Sequence, residues 1–127
     1  LLAVGSMVKT AVEVRELLKA MGYQCSLINA RFVKPLDSQL LDELAENHQL
    51  IVTMEENVIS GGFGEHVVCY MNERDIKESV SKVLNIAIPD EYVEQGNVDI
   101  LKKETGIDKE SVVKKIVAEY AKIRERL

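Results

Sequence analysis

Four short apolar runs alternate with stretches of helical periodicity, and that alternation constrains the fold more than any other feature. Leu1–Val4, Gln24–Ala30, Leu50–Met54 and Val83–Ile88 read as strands. After the first, Val8, Ala11, Val14, Leu18 and Met21 recur at helical spacing, with Ser6 as the expected N-cap and Gly22 where a C-cap glycine belongs. Pro35 blocks continuation of the second strand, and Asp37 or Ser38 opens a helix carrying Leu40, Leu41, Leu44 and Ala45. A third helix runs from Gly62 to about Asn72, with Val67, Val68 and Met71 facing inward. Pro89-Asp90 stops the fourth strand, Asp99–Glu104 reads as a short helix ending at Gly106, and Asp108 caps a long final helix. Its apolar stripe is Val112, Val113, Ile116, Val117, Tyr120 and Ile123. Strands alternating with helices demand an α/β fold: three α/β/α layers around a mainly parallel sheet of about four strands. No repeat or linker divides the 127 residues, so residues 1–127 are expected to form one domain.

Apolar residues make up 46% and charged residues 29%, the composition of an ordinary globular chain. The formal charge of −5 argues against nucleic acid, which favours basic patches. No apolar run approaches the length of a membrane span, and no secretory leader pattern is present. The chain starts at Leu1 in a run that is already strand-like, which suggests a piece of a longer polypeptide. Cys25 and Cys69 stand apart with no C-x-x-C pattern and read as two reduced, structural thiols of a cytoplasmic protein.

The chemistry-bearing residues cluster where the third strand turns into the third helix: Thr53-Met54-Glu55-Glu56-Asn57-Val58-Ile59-Ser60-Gly61-Gly62-Phe63-Gly64. Ligands and partner domains meet open α/β sheets at such corners, and the free N–H groups of the helix start are expected to face outward, where an anion could meet them. Yet Gly61-Gly62-Phe63-Gly64 lacks the Lys and Ser/Thr of a P-loop and is not G-x-G-x-x-G. A tight packing corner is the favoured reading, with anion binding as its alternative. Glu55 and Glu56 are adjacent on a strand and point to opposite faces, so they do not converge as an acid/base pair. One is expected to bond backbone or a basic residue, the other to face solvent or a partner. A phosphoacceptor receiver pocket would need acids after the first strand, where Val4-Gly5-Ser6 stands. Arg31 and Lys34 flank Pro35 and suit an ion pair with a neighbouring acid or a contact across a subunit boundary, with phosphate binding as the alternative. His48 and His66 have no second ligand at metal spacing, and no Ser or Cys has the elbow context of a hydrolase nucleophile.

Five motifs stand in register along the chain. They are Leu1-Leu2-Ala3-Val4-Gly5-Ser6-Met7-Val8; Asn29-Ala30-Arg31-Phe32-Val33-Lys34-Pro35-Leu36-Asp37; Val52-Thr53-Met54-Glu55-Glu56-Asn57 with the glycine corner; Asn85-Ile86-Ala87-Ile88-Pro89-Asp90; and Gln95-Gly96 with Thr105-Gly106-Ile107-Asp108. Together they resemble the C-terminal domain of the 1-deoxy-D-xylulose-5-phosphate synthase family, within the wider group of transketolases and 2-oxo-acid dehydrogenase beta subunits. The resemblance implies a full-length homodimer that uses thiamine diphosphate and Mg²⁺. It condenses pyruvate with D-glyceraldehyde 3-phosphate for isoprenoid precursor, thiamine and pyridoxal biosynthesis. It also implies that the cofactor lies between the two preceding domains, so no catalytic, cofactor-binding or metal residue falls on this chain and none of these ligands is expected bound to it. The implied partners are the missing N-terminal domains and a second subunit, with neither nucleic acid nor membrane. The implied role is structural: Arg31, Lys34, Pro35, Glu55, Glu56, Asn57, Gly61, Gly62 and Gly64 are the interface and structural candidates. The family's domain also starts with an antiparallel edge strand. Without it, four parallel strands and an unpaired edge beside the first or second strand are expected, an edge that a partner chain would cap. The alternatives are an anion- or metabolite-binding regulatory module, and the same domain of another thiamine-dependent enzyme.

Overall fold

The computed structural model describes residues 1–30, 38–58, 62–73, 82–88 and 106–125. Four strands, β1 (Leu2–Ala3), β2 (Ile28–Asn29), β3 (Leu50–Val58) and β4 (Lys82–Ile88), form one sheet in the order β2-β1-β3-β4. Every pairing is parallel. Helices α1 (Met7–Ala20), α2 (Ser38–Asn47), α3 (Phe63–Glu73) and α4 (Lys109–Glu125) cover it. The expected three-layer α/β architecture is therefore present.

Strand alternation divides the core into two. On one face Ala3, Val52, Met54 and Ile86 pack against Met7, Ala11, Val14 and Leu18 of α1 and Val112, Val113 and Ile116 of α4. On the other, Leu2 and Ile51 pack against Leu41 of α2 and Phe63 and Val67 of α3. Met7, Leu18, Met54 and Ile86 are among the largest fully buried side chains, and burying each contributes about 1.5–3 kcal/mol. The helices change face where the strand order reverses, between β1 and β3. The carboxyl ends of those two strands therefore flank the crevice that open α/β sheets use for binding.

Element boundaries follow local backbone chemistry. Gly22 (φ +93°) ends α1 in a Schellman motif: its N–H donates to Lys19 O at 3.0 Å and that of Tyr23 to Leu18 O at 2.9 Å. Ser6 is not the side-chain cap expected of it. It already has helical dihedrals and makes no capping bond, because the carbonyls of Val4 and Gly5 take the N–H groups of Met7 and Val8. The second strand spans two residues rather than seven, since its sole ladder partner among the described residues, β1, is itself two residues long. The third extends four residues beyond the expected Met54. Cys25 is half-buried, but Cys69 is exposed, not a core residue. The short helix expected at Asp99–Glu104, and the turns at Pro35 and Pro89-Asp90, lie outside the described residues.

Two carboxylates fix α4. Asp108 Oδ2 accepts from Ser111 N–H at 3.2 Å, the capping bond expected. Burial works against its charged form, but the hydrogen bonds from Ser111 outweigh it and hold the carboxyl below its ordinary value. Glu119 pairs with Lys82 of β4 at 2.6 Å, and this bond holds its carboxyl below the ordinary value too. Tyr23 and Tyr120 meet edge-to-face at 5.7 Å, joining the end of α1 to α4.

Both folded-state values lie below the unfolded ones. Their stabilisation is thus complete above the ordinary carboxylate range and is lost as pH falls through it towards the folded-state values. Asp108→Ala is expected to cost about 1 kcal/mol at neutral pH and progressively less on acidification, measured by urea denaturation across a pH series. A penalty independent of pH would contradict an ionic cap.

Candidate functional site

The glycine corner is organised by a carboxylate. Along β3, Ile51 faces α2 and α3, so Thr53 and Glu55, two and four residues on, face the same way. Glu55 is 1% exposed. Its Oε1 accepts from Phe63 N–H at 2.9 Å and its Oε2 from Gly64 N–H at 2.6 Å. These are the first two residues of α3, whose N–H groups have no partner inside the helix. A buried charge is costly unless it is paired and hydrogen-bonded. Here two charge-assisted bonds, each worth about 1.5–3 kcal/mol, and the positive end of the helix dipole offset that cost.

Gly64 lies close against the sheet. A Cβ there would stand 2.6 Å from both Asn85 Oδ1 and Thr53 Oγ1. Those two groups are themselves a cross-strand pair, the Thr53 hydroxyl donating to the Asn85 amide oxygen at 2.6 Å. Glycine at 64 therefore lets the helix start approach near enough for its N–H to reach Glu55. Tyr70 Oη donates to Asp42 Oδ1 at 2.9 Å and ties α3 to α2. The β3–β4 register shifts between Met54 and Val58, the irregularity that re-aims side chains at functional strand ends.

The candidates separate accordingly. Glu55, Gly62 and Gly64 converge and are buried within the chain, while Glu56 is half-buried beside them. Asn57 continues β3. Arg31, Lys34, Pro35 and Gly61 lie outside the described residues. His48 follows the end of α2, and His66 N–H donates to Gly62 O at 3.3 Å in the first turn of α3. The expectation that a helix start here presents free N–H groups outward is corrected: Glu55 takes those of Phe63 and Gly64. Thr53 and Asn85 join the corner as residues that the interface candidates do not include. Their signal was a polar residue at an inward position of an otherwise apolar strand.

Among the described residues, the glycine corner does not fit thiamine diphosphate or Mg²⁺. A diphosphate at this corner would meet a buried carboxylate already holding the donors it needs, and both Glu55 oxygens are committed to backbone N–H groups. Among the described residues no three His, Cys, Asp or Glu side chains converge.

Glu55→Gln places an amide NH₂ against a backbone donor. It is expected to cost about 2 kcal/mol in chemical denaturation, and Gly64→Ala a similar or larger amount through its clash with Thr53 and Asn85. Retention of wild-type stability by both variants would refute the carboxylate latch.

A model of the family "Transketolase, C-terminal domain" matches residues 1–112. The chain is 51% identical over 116 residues to a 1-deoxy-D-xylulose-5-phosphate synthase of Lachnoclostridium phytofermentans, covering 91% of this chain and 18% of that protein. It is 40% identical over 117 residues to the synthase of Clostridium tetani, 92% of this chain and 18% of that protein. It is 37% identical over 123 residues to that of Dehalococcoides mccartyi, 97% and 19%. The chain thus spans under a fifth of the length of these relatives. A solved structure described as a split gene transketolase, an inactive beta4 tetramer, superposes with a TM-score of 0.78 at 28% identity, over 88% of this chain and 35% of that one. The parallel order β2-β1-β3-β4, the resemblance read from the five motifs and the matched span agree: the chain belongs to the transketolase C-terminal domain family.

Proposed function

We propose that this chain is the C-terminal domain of a 1-deoxy-D-xylulose-5-phosphate synthase, a single structural unit that buttresses the preceding domain and buries area at a homodimer interface. The observation that carries the reading is Glu55. With both oxygens spent on the first turn of α3, the corner where an α/β domain ordinarily binds its ligand becomes a fixed packing surface. Its buried members, Glu55, Gly62 and Gly64, shape that surface. Glu56, with Asn57 and Gly61 nearby in sequence and Arg31, Lys34 and Pro35 from a separate stretch, provides the contacts. The 51% identity favours the synthase over a transketolase, at 28%, as the parent enzyme.

On this reading the full-length enzyme is a cytoplasmic transferase. It holds thiamine diphosphate and Mg²⁺ in its other domains and makes 1-deoxy-D-xylulose 5-phosphate from pyruvate and D-glyceraldehyde 3-phosphate, a precursor of isoprenoids and thiamine. The cofactor supplies the carbanion chemistry, and this chain supplies no group to it. A regulatory anion site at the glycine corner is disfavoured, because the anion held there is the protein's own carboxylate.

The full-length polypeptide is expected to bind thiamine diphosphate and form product. The 127-residue chain, once circular dichroism shows its α/β signature, gives no saturable heat with thiamine diphosphate and Mg²⁺ by calorimetry. Stoichiometric binding by the isolated chain would contradict the proposal.

A further inference from the structure

We draw no further inference here: the strongest candidate, the cavity of about 660 Å³ at the amino ends of the strands, lined by Tyr23, Cys25, His48, Gln49, Tyr120 and Arg124 among others, carries nothing, because nothing in the structure shows what covers it.

Discussion

A buried carboxylate needs donors for both oxygens, and Glu55 finds them on Phe63 and Gly64 at the start of α3. Much else follows from that contact. It fixes the angle at which α3 leaves β3. It requires the helix start to lie within van der Waals range of the sheet, which excludes any side chain at position 64. It also makes a polar pair, Thr53 with Asn85, the floor beneath that approach, where two apolar residues would otherwise stand. A strand end, a helix start and a cross-strand pair are thereby locked into one rigid unit.

The same contact decides between two uses of the doubly wound architecture. The crevice at the carboxyl ends of β1 and β3 is where such sheets present helix N-termini to phosphates. In this chain the start of α3, which follows β3, is already neutralised from within. A surface whose helix-start donors are already taken can still be a precise surface for another protein, because charge-assisted bonds hold its shape. The proposed interface role depends on that rigidity, and the 18–19% coverage of the synthase relatives is consistent with the remaining chemistry residing in other domains.

Much of this was legible in the sequence. Hydrophobic periodicity located all four described helices, and Gly22 and Asp108 act at helix ends as their residue types predict. The Glu55–Gly64 stretch is legible as a strand end followed by glycines. Periodicity could not show that the carboxylate and the corner bond to each other, because that depends on how the intervening turn closes. Ser6 misled because a serine before a helix signals a cap only when backbone carbonyls have not already taken the first N–H groups. The second strand was read at its full length because sequence reports propensity, whereas strand assignment needs a partner, and β1 offers two residues.

The most direct test of the central claim is the amide behaviour of Phe63 and Gly64 in the folded protein, followed by NMR with and without inorganic phosphate. The carboxylate latch predicts two strongly downfield, slowly exchanging amide protons that phosphate does not move. Fast exchange at these positions, or saturable shifts on adding phosphate, would show that the helix start is open to anions, and the structural account of the corner would fail.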